Sequence, residues 1–182
     1  MTEVWLVRHG ETAWNALGRM QGWTDVPLNA AGEAQALELR PWLLRHAFDS
    51  VHASDLSRAA QTARLAYGEP RLTSALREAN FGDWEGQSWQ EREDIRNALL
   101  DFDAFAAPGG ETAAQIWERL EAFLSGLPAG RHLCFSHGGA IRAVVRATGN
   151  DGRIHNCAVI GVNWTERRLL FMRNLEEELA HG

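Results

Sequence analysis

The sequence predicts an α/β fold, a three-layer sandwich with helices on both faces of a largely parallel central sheet and an antiparallel edge strand. Short apolar runs alternate with longer segments of helical periodicity along the 182 residues, which is typical of such sheets. The first run, "EVWLVR", is short, apolar and rich in Val and Trp, as expected of a strand buried on both faces. In these folds ligands bind beyond the carboxyl ends of the strands.

Residues 29–46 predict the first long helix. Asn29 is placed to cap it, and Pro41 is expected to kink or restart it. Its apolar positions recur at helical spacing: Ala34, Leu37 and Leu44.

Residues 50–53 predict a brief second strand. Ser54 or Asp55 is expected to cap the helix that follows, which ends at Gly68. Residues 70–86 then predict a third short strand that runs into an irregular loop.

The second half continues the alternation. Helices are expected over residues 88–102, 111–127 and 140–149, and an apolar run enters His137. Residues 157–164 and 167–175 predict two strands that pair antiparallel at a sheet edge. We expect one domain over residues 1–182, with a mobile tail at about 175–182.

Composition excludes several classes of function. The net charge of -6 argues against general nucleic-acid binding. No apolar window is long enough for a membrane span, and no signal peptide precedes the first strand, so we expect a cytoplasmic protein without membrane contacts. All 18 basic residues are arginine, which excludes a lysine Schiff base and a P-loop lysine.

Two segments, "WLVRHG" and "LCFSHGG", each carry an apolar run into a histidine followed by glycine. If both are parallel strands, His9 and His137 emerge at the same edge of the sheet. The glycine after each histidine, Gly138 in the second case, lets backbone N–H groups approach an anion. Arg8 adds a planar fork that fits a phosphate or a carboxylate.

A third strand end points to the same edge. Arg58 falls in the first turn of its helix, where the helix dipole disfavours a cation unless an anion binds there. A solvated Arg58, or a pair with Asp55, is the structural alternative. Asn15 and Thr12 either donate to the same anion or cap a short turn, and spacing does not decide between these roles.

A carboxylate on the loop after the third strand could serve as an acid or base. Spacing alone does not choose among Glu78, Asp83 and Glu85. Gln21 is a further candidate ligand for phosphate or substrate.

Six blocks in order resemble the histidine phosphatase superfamily, also called the phosphoglycerate mutase-like proteins. They are "RHGET" with the following Asn15, "GRMQGWTDVPL", "SDLSRAAQTA", "LREANFGDWEG", "PGGET" and "SHGG". The resemblance implies that His9 is the phosphoryl-accepting nucleophile and that Arg8, Arg58, Asn15 and His137 contact the transferred group. It also singles out Glu78 as the proton donor.

The resemblance leads us to expect a phosphatase that acts on a small phosphorylated metabolite through phosphohistidine, without metal or other cofactor. Size and motifs are most similar to small broad-specificity or α-ribazole-phosphate phosphatases of bacteria. The alternatives are a phosphoglycerate mutase and a non-catalytic module that binds a phospho-ligand. The expected partner is a small phosphate ester; a homodimer is compatible with the sequence.

Overall fold

The computed structural model describes residues 1–175, which form a six-stranded sheet flanked by helices. The predicted α/β sandwich is confirmed. Three further short 3-10 helices lie in the loops, at Ser74–Leu76, Gly82–Trp84 and Phe102–Ala104. In chain order the strands and helices are β1 Thr2–Arg8, α1 Ala13–Ala16, α2 Ala30–Leu43, β2 Ser50–Ser54, α3 Ser57–Ala66, β3 Arg71–Thr73, α4 Glu93–Leu100, α5 Ala113–Ser125, β4 Gly130–Ser136, α6 Gly138–Arg146, β5 Val159–Asn163 and β6 Arg168–Arg173.

The strand order across the sheet is β3-β2-β4-β1-β5-β6. The first four strands of this order run parallel, whereas β5 lies antiparallel to β1 and β6 antiparallel to β5. The prediction of an antiparallel edge is therefore confirmed, and the edge contains two strands. All four parallel strands end on the same side of the molecule.

The sheet separates two apolar cores because neighbouring residues of a strand face opposite ways. On β1, Val4 and Leu6 pack against the core that includes residues of α5 and α6, whereas Trp5 and Val7 pack against the core that includes α2 and α3. Helices therefore hold the sheet from both faces. Within residues 1–175, none of the helices combines the length and apolar character needed to cross a membrane.

Helix α2 corrects one sequence expectation. Asn29 caps it as predicted, accepting from the backbone N–H of Gly32, but the helix passes through Pro41 without restarting. Leu37 and Leu44, two of the apolar positions that recur at helical spacing, are 52% and 53% exposed. The buried positions are instead Ala36, Leu39 and Leu43. Both sets recur at helical spacing, so spacing alone cannot identify the face that meets the sheet.

The predicted cap of α3 is also wrong. Leu56 occupies the N-cap position and makes no side-chain cap. Asp25, from a distant loop, accepts from the backbone N–H of Ser57 at 2.8 Å, while Asp55 pairs with Arg77 at 2.6 Å. The predicted helix over residues 88–102 is shorter and begins at Glu93. Of the predicted mobile tail, residues 176–182 lie outside the described residues.

A chain of hydrogen bonds joins β2 to β4 near the amino ends of these strands, opposite the carboxyl ends from which His9 and His137 emerge. The ring of His132 contacts Pro128 O at 2.9 Å and Ser50 Oγ at 2.6 Å, and Ser50 Oγ also lies 2.8 Å from His52 Nε2. A carbonyl oxygen only accepts, so His132 donates from Nε2 and accepts from Ser50 through Nδ1. Ser50 in turn accepts from His52.

We predict that Ser50→Ala destabilises the fold by about 1–3 kcal/mol, because it leaves buried nitrogens of two histidines without their partner. Urea unfolding followed by circular dichroism measures this loss. Ser74→Ala, at an exposed position, is the matched control and should change the free energy of unfolding by less than about 0.5 kcal/mol. Equal stability of the two variants would contradict the assigned network.

Candidate active site

The parallel register of β1 and β4 brings two histidines together. Arg8 pairs with Ser136 at the end of these strands, and His9 and His137 are the next residues. Their ring centroids are 5.1 Å apart, and both side chains are buried. The structure thus places the two histidines at one sheet edge, as the sequence pattern predicts.

The His9 ring is oriented by its own loop. Nδ1 lies 2.7 Å from the carbonyl oxygen of Gly10, and because that oxygen only accepts, Nδ1 carries the proton and Nε2 carries the lone pair. Burial lowers the pKa of His9 well below 6.5, and the charges of Arg58 and Arg8 lower it further. His9 is therefore a neutral imidazole at neutral pH, with Nε2 as its nucleophilic atom.

His137 has both ring nitrogens buried and without a hydrogen-bond partner among residues 1–175. Its pKa is also well below 6.5, first because of burial and then because of the charges of Arg58 and Arg8. The neutral ring keeps one N–H donor and one acceptor. An oxyanion beside His9 could accept from that N–H.

Two arginines place their guanidinium groups in the same buried region. Arg58 is completely buried and donates to the carbonyl oxygens of Thr24 at 3.0 Å and Gly22 at 2.6 Å. Arg8 donates to the carbonyl oxygen of Ile154 at 2.6 Å. In both side chains Nε is buried and has no partner within the described part of the chain.

These arginines keep their charge. Burial lowers the pKa of Arg58 to about 10, and it lowers that of Arg8 as well. The pKa of Arg58 therefore stays well above neutral pH, and a guanidinium group in a protein is in practice always protonated. The alternative roles for Arg58, a solvated side chain or a partner of Asp55, are excluded by its burial and by the pairing of Asp55 with Arg77.

Glu78 reaches the amino end of α6. Its carboxylate accepts from the backbone N–H groups of Ala79 at 2.9 Å, Gly139 at 2.9 Å and Ala140 at 3.0 Å. The other two carboxylates of this loop do not share that position. Asp83 is exposed, and Glu85 binds the backbone N–H groups of residues 22 and 23.

Gly138 allows α6 to begin against the arginine of the first strand. A Cβ at this position would lie 3.3 Å from Arg8 Nε, which is tight for packed atoms. The absence of a side chain therefore lets the helix terminus and the Arg8 guanidinium sit side by side.

Thr12 holds two amide side chains that follow β1, those of Asn15 on α1 and Gln21 on the next loop. Asn15 Oδ1 accepts from the backbone N–H of Thr12 at 3.1 Å, and the Thr12 hydroxyl both caps α1 and donates to Gln21 Oε1 at 2.6 Å. The structure thus gives Thr12 the capping role. With their oxygens engaged, Asn15 and Gln21 retain amide N–H groups as donors.

Two residues that the sequence did not identify, Asn156 and Thr62, hold the loop of His9 in place. Asn156 donates to the carbonyl oxygen of His9 at 3.0 Å. Thr62 accepts from Gly10 N at 3.0 Å and donates to the carbonyl oxygen of Arg58 at 2.7 Å. Thr62 lies four residues after Arg58, on the same face of α3, and that spacing was the available signal. Asn156 offered none, because it lies on an irregular connection.

A cleft of about 330 Å³ adjoins Arg8 and Asn15. Its wall carries the carboxylates of Glu11 and Glu38 and the cation of Arg153. The cleft therefore presents charges of both signs beside Arg8. Within residues 1–175, no three His, Cys, Asp or Glu side chains are grouped so that they could hold a metal ion.

Comparison with known proteins agrees with this geometry. Residues 4–174 match the family model of the histidine phosphatase superfamily (branch 1). A crystal structure of phosphoglycerate mutase from Thermus thermophilus is 46% identical and superposes with a TM-score of 0.88, over 95% of this chain and 99% of the other.

Two curated relatives carry different names. The probable phosphoglycerate mutase GpmB of Escherichia fergusonii is 34% identical over 190 residues, which cover 93% of this chain and 88% of the relative. The uncharacterized phosphatase PhoE of Bacillus subtilis is 32% identical over 169 residues, covering 88% of this chain and 84% of the relative. With a family match along nearly its whole length, the chain belongs to the histidine phosphatase superfamily.

Proposed function

We propose that this chain is a phosphomonoesterase that hydrolyses a small phosphorylated metabolite through a phosphohistidine intermediate. One observation carries the proposal: Nε of Arg8, Nε of Arg58 and the ring nitrogens of His137 are buried without a partner among the described residues, beside a neutral His9. A phosphoryl group supplies oxygen acceptors for the two guanidinium N–H groups and for the one ring N–H of His137. An unpaired buried donor otherwise costs about 1–3 kcal/mol.

In the first step, Nε2 of His9 attacks phosphorus, an N–P bond forms and the P–O bond to the alcohol breaks. Charge on the phosphoryl oxygens is neutralised by Arg8 and Arg58, with His137 as a further donor. The remaining proposed phosphate ligands are Asn15, Gln21 and the backbone N–H of Gly138. These groups are fixed before the reaction begins, so little reorganisation opposes the transfer.

Glu78 is the proposed acid and base. Its protonated carboxyl gives a proton to the departing alkoxide, and the resulting carboxylate takes one from the water that attacks phosphohistidine. Inorganic phosphate then leaves and His9 returns to its starting form. Among residues 1–175, Oε2 of Glu78 accepts one hydrogen bond, from Gly139 N, so this oxygen can also carry a proton.

Hydrolysis is favoured over mutase activity by the mixed charge of the adjoining cleft. A phosphoglycerate mutase must also hold the carboxylate of its substrate, and Glu11 and Glu38 offset the cation of Arg153 there. Mutase activity is the second candidate, because the similar structure from Thermus thermophilus is named a phosphoglycerate mutase. Chain length does not separate the two, because this chain covers 99% of that relative. More specifically, we propose that the substrate is an ester similar to α-ribazole phosphate.

The function is tested by incubating the purified protein in EDTA with p-nitrophenyl phosphate, and separately with 3-phosphoglycerate plus its bisphosphate. The phosphatase releases inorganic phosphate in both reactions. Isomerisation without release of phosphate identifies a mutase. Binding of inorganic phosphate without turnover of either substrate identifies a binding module, and both outcomes contradict the proposal.

We predict that Glu78→Gln lowers kcat/KM for phenyl phosphate by about 10²–10⁴-fold, the usual contribution of a positioned acid. His9→Ala lowers it further, because no nucleophile remains. The control is Arg131→Gln. Arg131 pairs with Glu3 at the amino ends of β4 and β1, far from the two histidines, so this variant should leave kcat/KM unchanged. Near-normal turnover by His9→Ala would disprove the assignment of the nucleophile.

We also predict that His9 and His137 remain neutral in the free protein at pH 6, because burial and the two arginines hold each pKa well below 6.5. Nitrogen NMR of the labelled imidazoles measures both titrations. As pH falls, each ring takes up its proton only below its lowered pKa. Arg58→Met removes a positive charge and should move both midpoints upward, whereas midpoints at or above 6.5 in the unaltered protein contradict the account.

A further inference from the structure

The guanidinium group of Arg119, on α5, is saturated by acceptors next to Glu78. Nε and Nη2 donate to the two carboxylate oxygens of Glu111, at 2.9 and 3.0 Å. Nη1 donates to the carbonyl oxygens of Ala75 at 3.0 Å and Arg77 at 2.7 Å, and Nη2 donates to that of Glu78 at 2.8 Å. These five bonds use all five N–H donors of an arginine, so none is left for a substrate.

Glu111, the ion-pair partner of Arg119, also binds the loop that carries Glu78. Its Oε2 accepts from Asn80 N at 2.8 Å, and its own backbone N–H donates to Asn80 O at 2.8 Å. The preceding residue, Gly110, packs so closely that a Cβ there would lie 2.1 Å from Asn80 O. The "PGGE" loop and the Glu78 loop are therefore joined backbone to backbone.

Together these contacts fix both ends of Glu78. Its carbonyl oxygen receives N–H groups from Arg119 and from the indole of Trp23, at 2.8 and 2.9 Å. Its carboxylate receives N–H groups from the first turn of α6. The backbone of Glu78 is thus set by α5 and its side chain by α6, which leaves little freedom in the direction of the carboxyl group.

We propose that Arg119 and Glu111 are positioning residues for Glu78, which hold its carboxyl group where it can protonate the departing alkoxide; the proposal rests on the phosphatase function above. Their side chains are only 18% and 15% exposed, and at such a site desolvation offsets much of the attraction between the charges. The geometry that the pair imposes is therefore its main contribution. A misplacement of about 1 Å in a catalytic group can cost about 10²-fold in rate.

The test compares esters that need a proton on the leaving group with one that does not. Wild type, Glu78→Gln, Arg119→Gln, Arg119→Lys and Glu111→Gln are assayed for kcat/KM, which reports formation of phosphohistidine, on p-nitrophenyl, phenyl and butyl phosphate. p-Nitrophenolate leaves readily without a proton, whereas butoxide does not. We expect each Arg119 and Glu111 variant to lose about tenfold or more on butyl phosphate relative to p-nitrophenyl phosphate.

Arg119→Lys separates position from charge, because it keeps the positive charge near His137 but lacks the planar fork. If Arg119 acted through charge alone, this variant would match wild type on every ester. Arg40→Gln is the matched control, since Arg40 donates to the carbonyl oxygens of Leu65 and Tyr67 and should change no ratio between esters. If Arg119→Gln fails to fold, Glu111→Gln keeps the side-chain shape and carries the test.

The outcomes separate this inference from the proposed function. In one outcome, Glu78→Gln loses more activity on butyl phosphate than on p-nitrophenyl phosphate, while the Arg119 and Glu111 variants lose equally on all esters. That outcome overturns the positioning role and leaves the acid assignment intact. An equal loss on all esters in Glu78→Gln itself overturns the acid assignment first. A selective loss in all of these variants supports both.

Discussion

Polar atoms held out of water around a neutral imidazole are the constraint on which the site depends. Nε of Arg8, Nε of Arg58 and the ring nitrogens of His137 are buried and lack a partner among residues 1–175. Each could bond to water in an unfolded chain, so the fold bears their desolvation cost. The same desolvation keeps His9 neutral and strengthens the attraction of both arginines for an oxyanion. These unpaired polar atoms lower the stability of the fold, and in the proposed function they raise its affinity for a phosphoryl group.

The rest of the fold makes that arrangement rigid. Parallel pairing of β1 with β4 places His9 beside His137 without a flexible loop between sheet and ring. Helices pack on both faces of the sheet, and α6 directs its first backbone N–H groups at Glu78. Arg119 fixes the backbone of Glu78 from the opposite side. The groups that we propose to act on one phosphorus atom are therefore supported by four separate elements, which suits chemistry that depends on position and charge.

Predictions from the sequence were correct where a local pattern corresponds to a single local structure. An apolar run that ends in His-Gly marks a strand end, and two such runs predicted the neighbouring histidines. They failed where the partner is distant in the chain, since Asp25 and not a neighbouring residue binds the start of α3. The contacts of Arg119 were missed for the same reason, since a single arginine within a helical pattern gives no sign of the loop it holds.

The most direct test of the account is to locate the phosphoryl group on the protein during turnover. Wild-type protein mixed with p-nitrophenyl phosphate is quenched in base, where phosphohistidine survives, and is examined by phosphorus NMR and peptide mass spectrometry. Because Nδ1 of His9 is bound to Gly10 O, the account predicts a single phosphohistidine, bonded through Nε2 of His9. Phosphate found on Nδ1, on His137 or on no histidine during active turnover would contradict it.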